Sequence, residues 1–351
     1  MATTERKLTD YKALVFDVYG TLADWESGIF NAFKPLLDKY PQAHHWGRKE
    51  VLAAYASVEH DLEAQLPDMP YSDLLAKISE VMEARLKAQF GNGGNASTLD
   101  GSAATSSGVT STSAAPSTSS QAGDTSSSSN PHIAFGKSIQ HWSIFPDSAA
   151  ALRELAKDFK LIVLSNVDND SFRYTHAKLS LDRPAKDADE LAIYTNPNPP
   201  STASEVSTAG EQSKPIYARY WHPQQTPNSQ SPFSLILTAQ DVECYKPALG
   251  GFRTVLECVR TDPALLGEFG LSEEEVKTRV LSVAQSLVHD HEPAHQLGLN
   301  SVWIDRQIAV TCREPPAGVQ RWTWRFETLG EMAEAVAKEK AAAKEKAAKT
   351  Q

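Results

Sequence analysis

The stretch ALVFDVYGTLADW, residues 13–25, decides how this chain is read. Four apolar residues, Ala13 to Phe16, run straight into the acid Asp17, and a Tyr19-Gly20-Thr21 turn follows at once. A short continuous apolar run bounded by turn residues is the pattern of a strand buried on both faces. The acid at its end is open to three explanations: a nucleophile, a metal ligand, or an ordinary helix or turn cap.

Working outward, short apolar runs alternate with helical periodicity. Strands are expected over residues 12–18, 161–164, 233–237, 280–283 and 301–304. Helices are expected over 148–159, 251–259, 272–279 and 292–297; the third opens on the capping box SEEE. This alternation predicts an α/β fold, a Rossmann-like parallel sheet with helices on both faces. One block breaks it. Residues 29–37, 49–66 and 71–90 are all helical and follow the first strand directly, so they read as an inserted helical cap domain. The expected organisation is therefore an α/β core over 8–24 and 136–330, a cap over 25–90, a disordered Ser/Gly-rich linker over 91–131 and a solvated Ala/Lys/Glu-rich helix over 331–351. A Pro/Ser/Thr/Gln-rich surface insertion is expected over about 182–232, in which IYARYWHP, residues 216–223, is apolar enough to dock.

The 351 residues are 41% hydrophobic and 22% charged, which suits a globular protein with a large core. The net charge of −10 disfavours nucleic acid or an anionic membrane surface as the main partner. Three widely spaced cysteines (Cys244, Cys258, Cys312) with no CxxC suggest neither a disulfide framework nor a zinc knuckle. The polar start MATTERKLTDYK carries no apolar signal core, and no run approaches transmembrane length. A reducing, cytoplasmic setting is the expectation.

In doubly wound sheets chemistry sits outside the carboxyl ends of the strands. Asp17, Tyr19 and Thr21 follow the first strand, and Ser165 and Asn166 follow LIVL. Lys246 lies in CYKP beyond the third strand, and Gln285, Ser286 and Asp290 follow the fourth. An aspartate can attack carbon or phosphorus and form an ester, a nearby ammonium favours its carboxylate form, and serine and asparagine supply donors for a substrate oxygen.

This constellation resembles the haloacid dehalogenase superfamily, in four motifs in order: DVYGT (17–21), LSN (164–166), YKP (245–247) and the acid Asp290 of VHDHEPAHQLGL. FPDSAAALREL, residues 145–155, is similar to the family's return from cap to core. Phosphatases of the superfamily place a second acid two residues after the nucleophile; here that position is Tyr19. DVYGT is similar instead to the 2-haloacid dehalogenase branch, which works without a metal. The resemblance implies a hydrolase with no required cofactor, in which Asp17 displaces halide from a small 2-halo organic acid. Lys246 and Asp290 would be catalytic, and Tyr19, Thr21, Ser165 and Asn166 would bind substrate. It also implies a bias towards homodimers. The chain departs from the branch at three places: Arg48 sits in no arginine pattern matching the halide-cradling one of the cap, Phe252 replaces a tyrosine, and Gln285, Ser286 and Leu287 replace serine and asparagine.

Two other readings stay open. One is a Mg²⁺-dependent phosphatase with Asp17 and Asp290 as ligands; the other is a catalytically silent binding protein. The bland readings stand beside these. Asp17 alone is as well explained as a cap, Ser165-Asn166 as a loop start and Lys246 as a surface residue. His289, Asp290 and His291 form a metal-like cluster that a helix entry explains as well. Trp25, Tyr55 and Trp142 fit the lining of a cleft or simple packing. Cys244 lacks an evident histidine partner.

Overall fold

The computed structural model describes residues 6–67, 69–91, 130–200, 215–268, 270–312 and 319–350. Six strands form one sheet: β1 (Ala13–Phe16), β2 (Lys160–Ser165), β3 (Phe233–Thr238), β4 (Val280–Ala284), β5 (Asn300–Ile304) and β6 (Trp324–Phe326). Their spatial order is β3-β2-β1-β4-β5-β6, and every pairing is parallel. This is the expected Rossmann-like α/β architecture. The order reverses between β1 and β4, and in such sheets the reversal opens a crevice at the carboxyl ends of the strands.

Side chains along β1 alternate between two apolar layers. Leu14 and Phe16 join a cluster that also holds Phe33 and Tyr55, while Ala13 and Val15 join Phe252 and Val255 on the opposite face. A strand covered on both sides has no polar face, so ALVF has none.

Between β1 and β2 the chain forms α1 (Trp25–Leu37), α2 (Arg48–Gln65) and α3 (Tyr71–Phe90), the inserted helical cap. Asp24 starts α1 by accepting a hydrogen bond from Ser27 N at 3.0 Å. Along α2, Val51, Leu52, Tyr55, Val58 and Leu62 are buried, an i, i+4, i+7, i+11 stripe with one added neighbour. Hydrogen bonds tie the cap to the loops beyond the strands: Tyr71 N donates to Asp168 Oδ2 at 2.7 Å, Tyr245 OH to Met69 O at 3.0 Å and Thr311 N to Glu26 Oε1 at 2.9 Å.

Four expectations need correction. The segment read as a surface insertion is ordered against the core in its described parts: Ala188–Ile193 is helical, and Tyr194 and Trp221 are buried with their rings edge-on to His176 at 5.3 and 5.0 Å. Trp221 pairs with Ile236 and so covers the outer edge of β3, which explains why IYARYWHP docks. The helix Asn169–Leu181 is missing from the sequence reading because its buried face includes Thr175 and His176, which blur the apolar period. The edge strand β6 has three residues, too few for an alternation to show. The C-terminal helix Leu329–Thr350 is not solvated throughout: Leu329, Met332 and Val336 are buried, and Glu339 accepts hydrogen bonds from Leu8 N and Thr9 N. The Ser/Gly-rich tract over 92–129 and residues 201–214 of the insertion lie outside the described residues. Among the described residues no helix is long and apolar enough to cross a membrane.

Met332→Ala should lower stability by about 2–5 kcal/mol in chemical denaturation. Lys344→Ala, on the exposed part of the same helix, should stay within about 0.5 kcal/mol. Equal, small effects would show that the helix does not pack as described.

Candidate active site

The turn after β1 closes tightly. Leu22 N and Ala23 N donate to Val18 O at 2.7 and 3.0 Å, and Gly20 N donates to Ala23 O at 2.8 Å. Gly20 has φ +101°, where residues with a side chain are strained, and a Cβ there would stand 3.1 Å from Gln285 Oε1. The turn brings Thr21 back over the end of β1. Its hydroxyl donates to Asp17 Oδ2 at 2.6 Å and accepts from Gln285 N at 2.8 Å. The Arg306 guanidinium holds the turn from behind, donating to Thr21 O at 2.8 and 3.1 Å while paired with Asp147 at 2.8 Å.

Lys246, 3% exposed, reaches into the crevice from beyond β3. Its ammonium donates to Asp17 Oδ1 at 2.8 Å, to Asp290 Oδ1 at 2.7 Å and to Leu164 O at 3.0 Å. A lysine ammonium has three protons, and all three are used. Burial works against the charged ammonium, but Asp17 and Asp290 outweigh it and hold its pKa above the ordinary lysine value. Burial pushes Asp290 up to about 7, against the pull of Lys246 and helped by the nearby Asp17. Asp290 Oδ2 is buried and has no hydrogen-bond partner among the described residues.

Asp17, Lys246 and Asp290 thus meet at the floor of one cavity of about 110 Å³ beneath the cap. The four residues expected to bind substrate are placed differently from one another. Tyr19 and Asn166 line the cavity, whereas Thr21 and Ser165 do not. Thr21 is fully buried and positions Asp17; Ser165 Oγ is buried without a partner among the described residues. Tyr19 OH donates to Thr175 Oγ1 at 3.1 Å, and burial raises its pKa well above the usual phenol value. Asn166 donates to Lys246 O at 3.0 Å and accepts from Lys246 N at 2.7 Å, so it fixes the lysine's backbone. Of the three aromatics weighed for the cleft, Trp25 lines it; Tyr55 and Trp142 are packed behind it.

The roof comes from α2. Ala56, Glu59, His60 and Glu63 line the cavity from α2 at i, i+3, i+4 and i+7. The sequence holds that signal as a charged stripe beside the apolar one. Tyr55 OH and Tyr71 OH both donate to Glu59 Oε1, at 2.7 and 2.9 Å. Burial and the neighbouring Glu59 push Glu63 up to about 9, despite the opposing pull of Lys246. Arg48 does not reach this cavity: it is spent on Ser27 at 2.7 Å and Glu26 at 3.0 Å. Among the described residues no arginine lines the cavity.

The His289-Asp290-His291 cluster is pulled apart by the backbone. A single π-helical turn, Leu287–His291, follows β4, a form often found at functional sites. His289 lines the cavity, and burial lowers its pKa to about 4, leaving a neutral imidazole near pH 7. His291 points away, bonded to Ser301 Oγ at 2.8 Å and Ala284 O at 3.0 Å. The Lys246 ammonium spans Oδ1 of Asp17 and Oδ1 of Asp290, the two acids that the magnesium reading takes as ligands. Among the described residues no three His, Cys, Asp or Glu side chains are grouped to hold a metal.

No family model matches the chain, and no curated protein matches it. Solved structures do. The chain is similar to an L-2-haloacid dehalogenase from Xanthobacter autotrophicus, at 14% identity over 93% of this chain and 98% of that one, with a TM-score of 0.51. It is similar at 14% identity and a TM-score of 0.50 to an L-2-haloacid dehalogenase from the same organism with chloropropionic acid covalently bound, over 93% of this chain and 98% of that one. A dehalogenase with an intermediate complex matches at 13% identity, over 92% of this chain and 96% of that one, with a TM-score of 0.50. At these identities the likeness is one of fold, and the chain has the haloacid dehalogenase fold.

Removing one partner of a buried ion pair leaves the other charge uncompensated. Lys246→Met should therefore cost about 3–5 kcal/mol of stability in denaturant titration. Adding Asp17→Asn and Asp290→Asn to it should return part of that loss. Additive losses across the three substitutions would mean the groups do not form one network.

Proposed function

We propose that this chain, built on the haloacid dehalogenase fold, is a hydrolase that displaces a leaving group, most simply a halide, from carbon through an ester on Asp17. The reading rests on one observation above all. Asp17 is 8% exposed yet lines the cavity, with Oδ1 held by Lys246 at 2.8 Å and Oδ2 by Thr21 at 2.6 Å. A carboxylate aimed by two donors into a small enclosed space is placed to attack rather than to cap a turn.

In the first step an Asp17 oxygen attacks the carbon bearing the leaving group. A C–O bond forms, the C–X bond breaks, and X leaves with the bonding pair. Water then attacks Cγ of the ester. The acyl C–O bond breaks, the alcohol leaves with one proton, and Asp17 returns as a carboxylate. The remaining proton needs an acceptor. Asp290 supplies one, since its Oδ2 is unpartnered among the described residues and its pKa of about 7 suits proton transfer near neutral pH. Lys246 stays charged throughout and steadies both carboxylates. Tyr19 occupies the place of a phosphatase's second acid, and with its hydroxyl bound to Thr175 it offers no proton to a leaving group.

Asp17→Asn should abolish chloride release. In ¹⁸O-water under single-turnover conditions the label should enter Asp17 and not the first product; label in that product would sink the ester route. Asp290→Asn should slow ester hydrolysis by about 10²- to 10⁴-fold and let an Asp17 adduct accumulate in mass spectra. Asp290 has a raised pKa and acts as its carboxylate, so the hydrolysis rate should be full above about pH 7 and fall as the pH drops through that value. Phosphate-ester turnover that requires magnesium would favour the phosphatase reading instead.

A further inference from the structure

We propose that the far end of the substrate is a hydrogen-bond donor, an ammonium or amine, recognised by Glu59 and Glu63 of the cap, rather than a carboxylate. The inference names the substrate class of the site described above and relies on the Asp17 reading for where the reacting carbon sits.

A carboxylate-bearing substrate needs donors, and the groups around Asp17 have few left to give; the remaining side-chain N–H and O–H groups of the lining include those of Trp25, His60, His289, Gln285 and Ser286. The three protons of Lys246 go to Asp17, Asp290 and Leu164 O. Thr21 donates to Asp17, Tyr19 to Thr175, and Tyr71 to Glu59. Asn166 keeps one amide proton after bonding the backbone of Lys246. Acceptors, by contrast, are in surplus. Glu63 makes no hydrogen bond or ion pair among the described residues, while Glu59 has Oε1 engaged by the two tyrosines and Oε2 unengaged. At the floor, Asp290 is 2% exposed and leaves Oδ2 unpartnered among the described residues.

Charge points the same way. Four carboxyl groups line this cavity beside two imidazoles, His60 and His289, and Lys246, the single lysine of the lining among the described residues, is already shared by two of the four. An anion would gain no counter-charge from Glu59 and Glu63, whereas an ammonium would hold both as carboxylates. An ammonium placed there would satisfy the free acceptors. It would also relieve the burial and mutual repulsion that now push Glu63 up to about 9. Trp25 and Tyr71 add aromatic surface to the same lining.

Calorimetric titration of the full chain with n-propylammonium and with propionate reads this preference without any chemistry. Propylammonium should bind about tenfold tighter or more. Glu63→Gln, checked for folding by circular dichroism, should shrink that ratio about threefold or more. Equal binding of the two ions, tighter propionate, no binding by either, or a ratio untouched in folded Glu63→Gln overturns the proposal. Chloride release from 3-chloropropylammonium, 3-chloropropanol and 3-chloropropionate then separates it from the reaction mechanism. If none of the three releases chloride while the binding preference holds, the ester route fails and the substrate class stands. Fastest release from chloropropionate rejects the substrate class and leaves the ester route intact.

Discussion

One buried ammonium organises this site. Lys246 arrives from beyond β3 and bridges an acid after β1 to an acid after β4, the two strands that flank the reversal of the sheet. Without it, two carboxylates would lie close together in a poorly hydrated crevice, a costly arrangement. With it, Asp17 can be kept inside the protein and still face a cavity. The surrounding details serve this contact. Asn166 clamps the lysine's backbone, Thr21 orients the second oxygen of Asp17, and Arg306 steadies the turn that carries Thr21.

Saturating that lysine has a chemical consequence. An ammonium whose three protons are taken by protein acceptors is a fixed electrostatic support rather than a hand for the substrate. On the proposed reading recognition then comes from elsewhere, from the cap. The stripe Ala56, Glu59, His60 and Glu63 lines the same cavity as Asp17, with Glu59 anchored by two tyrosine hydroxyls. Under the proposed reading, core and cap divide the work: the sheet edge holds the reacting groups, and α2 holds the groups that distinguish one substrate from another. This division matches the general separation of chemistry from specificity on shared folds.

The legible parts of the chain were those where local pattern and tertiary role agree. ALVF reads as a two-sided strand because it is one, and SEEE reads as a cap because Ser272 and Glu275 bond each other's backbone. The ordered appearance of Asp17, Asn166, Lys246 and Asp290 at successive strand ends was visible for the same reason, since strand ends can be counted along a sequence. The helix Asn169–Leu181 and the place where Trp221 docks are not visible, because they depend on His176 and on the edge of β3, which no window of sequence contains.

The sequence by itself determined the parallel sheet, the helical interruption after β1 and the set of acids and amine available at one edge, because these follow from periodicity and chain order. Only the tertiary structure decided which polar groups remain free. Thr21, Tyr19 and Asn166 look like substrate donors in a list of residues, but folding assigns the hydroxyl protons of the first two to Asp17 and Thr175 and one of the two amide protons of Asn166 to the lysine backbone. Glu59 and Glu63 look like surface acids of a helix, but folding turns them into a roof above Asp17. Hydrogen-bond partners are chosen by proximity in space, and residues 17, 63, 246 and 290 become neighbours only when the sheet and its cap close together.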